Sequence, residues 1–409
     1  MSLAEVEAIL KDDYKQLYKL VNNSVGLVAQ LDMNTDSIVG NQAVIALEVG
    51  REFGTGWRLE GDTMPPGRSV APQNVNVAVK RCYGRYRMTK AEISAMSSNV
   101  GSFARAQERR VTNLKESCRR NYALGTWGNG TGALATCGTT TASTTVQLAA
   151  STPEAVLINL AEGKQVDIGT VADPQLVASD RRITAVDFDN ATVTISGAAV
   201  TTTGSHFIFE QGVGGAYGGA AQRILTGVQN IVDDTSGTAF QGLTPATQWN
   251  WAAYVDGNAG TLRPPTENLL ERVVMRHSQR SGAKIDGLWA GGGVYRAMVN
   301  LLKGRQRSID KLQLKGGHSG IDYTFGAQSI PLVYDADAEA AGANKLFGFT
   351  YDSMQVYVQD EWQWEDTDGS VLRLATDDTH AFEAIYYTFR ELGCTRRNAN
   401  LRIDDLEAA

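Results

Sequence analysis

Cysteine is scarce and scattered. Cys82, Cys118, Cys137 and Cys394 stand far apart with no C-x-x-C pair, which argues against a disulfide scaffold and a thiolate zinc site. A reducing compartment fits that usage. The four histidines, His206, His277, His318 and His380, never fall three or four residues apart, and none adjoins a cysteine. Metal-ligand spacing is therefore absent, and each histidine is read as structural or surface. Long apolar runs are missing too: nothing approaches the roughly 20 residues that span a bilayer. The opening MSLAEVEAILKDDYKQLYKL alternates charge with apolar groups and has no basic leader, so no signal peptide is expected. The reading is a soluble protein or part of a soluble assembly.

Excess positive charge is also lacking. The 38 Lys and Arg against 45 Asp and Glu leave −7 on 409 residues, which excludes a generically basic nucleic-acid binder. A hydrophobic content of 43% is ordinary for a chain with real cores, and the length predicts two or three domains of about 150 residues each. The sum hides a segregation. Residues 80–120 carry +8 and residues 263–315 carry +7, whereas 121–260 carry −7 and 335–409 carry −10. Blocks of opposite sign suit charge-complementary contacts within a subunit or between copies, or else solvated faces that cancel.

Residues 3–21 have the spacing of an amphipathic helix. Ala43–Val49 and Asn74–Met88 read as strands, the second alternating Val75, Val77, Val79 and then Arg81, Tyr83, Arg85, Arg87. Together they predict a long antiparallel ribbon with an irregular Gly- and Pro-rich tip over about residues 50–73. A lone two-stranded ribbon is marginal in water, so a second copy is its natural support. Thr89-Lys90-Ala91-Glu92 is a capping box that opens a long basic helix carrying Arg105, Arg109, Arg110, Arg119 and Arg120, with Gly125 as its breaker. Residues 128–145 read as a Gly, Thr and Ser spacer. Next come a short helix at Pro153–Leu160 and short strands at Gln165–Ile168, Arg182–Phe188, Ala191–Ser196 and His206–Glu210, a small inserted β-module with a tight hairpin at Asp189-Asn190. From Pro264 the pattern is α/β: helix Thr266–Ser281, strand Ile285–Ala290, a turn at Gly291–Gly293 and helix Val294–Leu302. Strands at Met354–Trp364 and Val371–Ala375 and an apolar segment at Ala381–Phe389 precede the closing RELGCTRRNANLRIDDL.

Catalytic constellations fail one by one. GGHSG at 316–320 is one residue short of a nucleophile elbow and reads as a flexible loop. GVGGAYGG at 212–219 has Tyr217 where a dinucleotide fingerprint needs Gly. Gly291–Gly293 could cradle phosphate at a helix N-terminus but lacks the G-K-S/T ending. The pairs Asp233-Asp234 and Asp377-Asp378 point to opposite faces if in strands. Trp57, Trp362 and Trp364 could stack on ligands, yet aromatics on one strand face usually serve a core or an interface.

The order of parts, an arm, a ribbon, a long capped helix, an α/β region and a sheet-forming tail ending RRNANLRIDDL, resembles the major capsid proteins of tailed bacteriophages with the Hong Kong 97 coat fold. The resemblance implies an α+β chain divided as follows: N-terminal arm 1–42, extended loop 43–88, peripheral domain with spine helix 89–145, inserted β-rich, barrel-like domain 146–222, axial-type domain 223–344 and peripheral C-terminal sheet 345–409. It also implies a non-enzymatic, cofactor-free coat protein that assembles head-to-tail into pentamers and hexamers of an icosahedral shell around double-stranded DNA. That shell would be a virion component built in the bacterial host cytoplasm. Expected partners are further copies of the chain, a separate scaffolding protein, a portal complex, a decoration protein and non-specifically packaged DNA. Candidate inter-subunit contacts are Arg51, Trp57, Arg58, Arg68, Arg105, Arg109, Arg110, Arg119 and Arg120. Because Ala43–Val79 contains no lysine, the isopeptide cross-links that some members form from the extended loop are not expected. Three readings compete: a bacterial encapsulating nanocompartment, a phosphate- or nucleotide-handling enzyme using Gly291–Gly293, and a carbohydrate-binding virion or surface protein using the β-module, whose only aromatics over residues 146–215, Phe188, Phe207 and Phe209, make a thin stacking platform.

Overall fold

The computed structural model describes residues 26–47, 54–67, 72–92, 100–150, 152–171, 176–213, 223–303, 311–313, 319–325, 328–366, 369–375 and 380–408. The helix expected at 3–21 lies outside them.

Gln42–Leu47 and Gln73–Ala78 form an antiparallel ribbon in register from Gln42 opposite Ala78 to Leu47 opposite Gln73. Its alternation turns Ala43, Val75 and Val77 inward. The ribbon is shorter than expected because the second strand changes partner at Val79. Lys80–Thr89 leaves it and pairs along ten residues with Ala381–Cys394, from Thr89 opposite Ala381 to Lys80 opposite Arg390. The side chains explain the switch. Arg81, Tyr83 and Arg85 face outward, while Gly84, Tyr86 and Met88 are buried and need an apolar layer beneath. The long helix supplies it, and a Cβ on Gly84 would collide with Cys118 Sγ, so only glycine permits that approach.

Ala381–Cys394 is the central strand of this sheet. Met354–Trp364 flanks its other side, with Arg373–Leu374 continuing that edge and Asp32–Asn34 joining Met354–Trp364 in parallel. The expected strand at Val371–Ala375 thus shrinks to two residues, and the apolar segment at Ala381–Phe389 proves to be part of a strand that runs to Cys394. Trp362 stacks on Tyr386 at 5.2 Å and meets Tyr122 of the long helix edge-on at 6.3 Å.

The capping box forms as read: Thr89 N donates to Glu92 Oε2 at 2.9 Å and Glu92 N to Thr89 Oγ1 at 3.3 Å. The long helix is described over Val100–Trp127, a rod of about 42 Å at 1.5 Å per residue. Gly125 does not end it. A Cβ there would stand 3.3 Å from Leu225 Cδ1, so this glycine serves packing rather than termination. Two residues on, Trp127 packs on Trp289, Phe347 and Phe349 with ring centroids 5.5–6.3 Å apart, tying the helix to a second sheet.

That sheet has seven strands in the order Tyr254–Asp256, Leu401–Ile403, Leu346–Phe349, Gly287–Ala290, Gln328–Tyr334, Ser319–Phe325 and Lys311–Gln313. Helices Glu267–Ser281 and Gly292–Lys303 accompany it. Thr266 caps the first through Leu269 N, and Gly282, at φ +66°, ends it in the left-handed conformation that favours glycine. The tail therefore does not make one sheet: Leu346–Phe349 and Leu401–Ile403 belong here, and only the stretch between them belongs with the ribbon strand. Ser319 and Gly320 open a strand, where a flexible loop was expected at 316–320.

The inserted module starts earlier than its sequence texture suggests. The supposed spacer at 128–145 holds strands Ala133–Thr136, Thr140–Ser143 and the start of Thr145–Gln147, since β-branched Thr favours a pleated surface. They join Gln165–Gly169, Leu176–Asp187, Thr192–Ile195, Val200–Thr202 and Phe207–Glu210 in a six-stranded and a two-stranded sheet over their own core of Val146, Val166, Ile168, Ile183, Val193 and Ile208. The hairpin turn spans four residues, 188–191, wider than the Asp189-Asn190 pair, because Asp187 Oδ1 accepts from both Asp189 N and Asn190 N.

Candidate assembly surfaces

The ribbon tip, described over 54–67, has no regular structure and is held by its own polar bonds. Arg58 Nε donates to Thr63 O at 3.1 Å, Leu59 N to Asp62 Oδ2 at 3.1 Å, and Asp62 N to Leu59 O at 3.1 Å. These bonds turn apolar groups outward: Trp57 is fully exposed, and Leu59 and Met64 are 80% and 82% exposed. Large apolar side chains left in water together are the mark of an interaction site. Sequence reasoning found Trp57 and Arg58 but missed Leu59 and Met64, whose exposure depends on how the tip turns. Arg51 and Arg68 lie outside the described residues.

The helix arginines divide. Arg109 is exposed, and Arg110 reaches Glu92 at 3.3 Å. Arg119 grips Glu116 through Nε at 3.0 Å and Nη2 at 2.9 Å, with Asp337 at 3.9 Å, and Arg120 Nε meets the same Glu116 at 3.2 Å. The Arg119 hydrogen bond, aided by Arg120, holds Glu116 below the usual carboxylate range, while burial pushes Asp337 up. Arg119 and Arg120 are therefore engaged within the chain. Arg105 lies on the same helix, and its side chain is not among those described.

The Gly291–Gly293 turn holds an anion of the chain's own. Gly292 N donates to Glu339 Oε1 at 2.9 Å, and a Cβ on Gly291 or Gly293 would collide with Glu339 or Ala408. The carboxylate stands where the enzyme reading would put a phosphate, and that reading falls. His277 is buried beside Ser281, and desolvation lowers it to about 4, so it stays neutral. Burial pushes Cys82, Cys137 and Cys394 up to about 12 and Cys118 higher still, which makes them poor nucleophiles. Among the described residues no cluster of His, Cys, Asp or Glu has metal-binding geometry, and no helix is long and apolar enough to cross a membrane. Trp362 and Trp364 are both buried and serve the core.

Two further features escaped the sequence. On the sheet face away from the long helix, Tyr83, Tyr387 and Phe389 cluster with ring centroids 5.1–6.5 Å apart, and Arg81 lies 5.4 Å over Phe389. The tail also carries buried charge: Arg390 sits over Tyr122 and Trp362 and bonds Glu361 at 3.0 Å, Arg397 is wrapped by backbone carbonyls, and Glu391 is fully enclosed. Alternation could place Tyr387 and Phe389 on one face, but nothing local marks a charge for burial.

Comparison with known proteins separates sequence from shape. No family model matches the chain, and no curated protein matches it by sequence. Among solved structures, the capsid asymmetric unit of cyanophage A-1(L) superposes with a TM-score of 0.51 at 12% identity, covering 94% of this chain and 93% of that one. The capsid of Myoviridae phage XM1 gives 0.43 at 9% over 93% and 91%, and the holo-SrpI encapsulin complex from Synechococcus elongatus gives 0.42 at 10% over 93% and 87%. The fold of the chain is that of the tailed-phage capsid proteins, held without detectable sequence kinship.

Proposed function

We propose that the chain is a coat protein that builds an icosahedral shell around the double-stranded DNA of a tailed phage. One observation carries the reading: the ribbon ends in a tip whose Trp57, Leu59 and Met64 have no partner surface among the described residues, on a chain with a capsid fold over 94% of its length. A tip of that kind gains stability only against another copy. Each subunit lays it on the next, and head-to-tail contacts of this kind close into pentamers and hexamers. In this reading the long helix is the spine, the seven-stranded sheet the axial domain and the β-module the insertion. Trp57, Arg58, Arg109 and Arg110 contribute to contacts between copies, with Arg51, Arg68 and Arg105 as further candidates. Arg119 and Arg120 act through Glu116 within the subunit. A scaffolding protein, a portal and a decoration protein complete the assembly in the host cytoplasm.

Electron microscopy of the purified chain, alone and co-expressed with a scaffolding product encoded beside it, tests this: closed shells or capsomer rings are expected. A chain that stays monomeric in both preparations refutes the reading. Shells that package a co-purifying enzyme in place of DNA would establish the nanocompartment instead.

A further inference from the structure

Glu391 sits where three pieces of the chain meet. It lies near the end of the central strand, three residues before Cys394, and its carboxylate accepts from Thr226 N at 2.9 Å, Thr226 Oγ1 at 3.0 Å and Leu392 N at 2.8 Å. Thr226 begins the segment that leads from the inserted module into the seven-stranded sheet. Beside the carboxylate a cavity of about 380 Å³ opens, lined by Asn76, Val77 and Lys80 at the ribbon root, by Asn129 and Asn230, and by Arg397 from the tail. Ribbon, connecting segment and tail are thus joined around one buried acid.

The charged groups facing this cavity come from each element in turn. Lys80 comes from the ribbon strand, Asp233 from the connecting segment and Arg397 from the tail, while residues 129–131 add only neutral Asn129 and Thr131. Arg397 is engaged by the carbonyls of Asn230 at 2.7 Å and Ile231 at 2.8 Å, with Asp233 at 4.0 Å. Lys80 is the cation that acts on Glu391. A fully enclosed carboxylate with one modestly coupled cation bears the desolvation cost of its own charge.

We propose that Glu391 is a proton-controlled latch on the ribbon root: protonated, it keeps the ribbon, the 226 segment and the tail strand closed together, and ionised, it favours an opened joint that lets water reach it. Burial raises this carboxyl from 4.5 to about 7, outweighing the Thr226 bonds and Lys80, which favour the charged form. Opening rehydrates the group and returns it toward its ordinary value. The closed joint holds its proton more tightly than the open one, so opening grows as pH rises from about 4.5 to about 7 and levels off above. The ceiling is set by those two values at about 300-fold. The inference concerns a single subunit and does not rest on shell formation.

Hydrogen exchange read by mass spectrometry tests it, on the full chain kept below its assembly concentration and corrected for intrinsic exchange rates. Opening of segments 73–80 and 226–232 is expected to rise at least tenfold from pH 5 to pH 8, while 287–290 in the seven-stranded sheet stays level. Near-isosteric Glu391→Gln should hold the change in the first two segments below twofold. The latch is overturned if the wild type shows no such rise, if 287–290 rises equally, or if Glu391→Gln keeps the full dependence. Should that variant not fold, carbon-13 NMR of the wild-type carboxyl decides: a midpoint near 7 supports the latch, and one at or below 5 refutes it.

Discussion

Replacing Trp57 by Ala separates what the tip does for the subunit from what it does for the assembly. The indole is fully exposed in the single chain, and an exposed side chain touching nothing contributes at most about 0.5 kcal/mol to folding. Thermal and urea unfolding of the isolated subunit should therefore be unchanged. Seated against another copy, a Trp buries about 150–250 Å², which at about 25 cal/mol per Å² gives roughly 4–6 kcal/mol as a ceiling. Ordering the side chain and the Cβ that Ala retains reduce this to about 2–4 kcal/mol, the range of interface hot spots. A loss of about 2 kcal/mol per contact raises the concentration needed for assembly roughly 30-fold. Light scattering of a dilution series at fixed salt, with scaffolding protein added if assembly requires it, measures that threshold. An unchanged threshold would refute the role given to the tip, and so would a fall in subunit stability above 1 kcal/mol, since either shows that Trp57 is not held in reserve for a neighbour.

Three further outcomes follow from the subunit alone. Gly291→Val should destabilise it by about 1–3 kcal/mol through overpacking, because the new side chain collides with Glu339 and displaces the Gly292 amide bond; an unchanged urea midpoint would show that the turn is loose. His277 is lowered from 6.5 to about 4 by burial, so the fold binds fewer protons there than the unfolded chain does. Stability present above pH 6.5 should then drain away as pH falls to about 4, by roughly 3 kcal/mol at most, and His277→Leu should flatten that acid limb in urea melts at pH 4.5 and 7.5. Arg397→Met strips donors from the carbonyls of Asn230, Ile231 and Trp251 and leaves the cation's place over Phe240 to a thioether. A loss of about 3 kcal/mol or more is expected, and one below 1 kcal/mol in denaturant titration would mean that water takes over those carbonyls.

The parts legible in sequence were those whose signals are local. The Met354–Trp364 strand, the Thr89–Glu92 capping box and the Glu267–Ser281 helix fall where apolar period and cap chemistry put them. What stayed hidden depends on partners far along the chain. Alternation across Asn74–Met88 shows which side chains share a face, but not that the strand trades Gln42–Leu47 for Ala381–Cys394 at Val79. The Thr-rich stretch after the long helix reads as a spacer until Phe207–Glu210 arrives to pair with Ala133–Thr136. At the assembly surface, Trp57 stood out as the tryptophan of a Gly-rich tip, whereas the three- and four-residue spacing of Glu116 to Arg119 and Arg120 was a local sign of their pairing that the sequence reading passed over. Glu391 carried no mark at all, because its enclosure comes from Thr226 and from a cavity wall whose ribbon residues, Asn76 to Lys80, lie more than 300 positions away.

The division of the tail bears on the order in which the chain is made. Ala381–Cys394 is the middle strand of one sheet, and Leu401–Ile403 lies between Tyr254–Asp256 and Leu346–Phe349 in the other, so neither sheet can close until residues 381–403 have left the ribosome. Lys80–Thr89, made early, waits for a partner synthesised about three hundred residues later. Such long-range pairing is slow, and it makes the emergence of residues 381–403 the event that licenses the fold. A chain cut short before Ala381 lacks both strands and cannot offer a finished surface, so such copies are kept out of any structure built from folded ones.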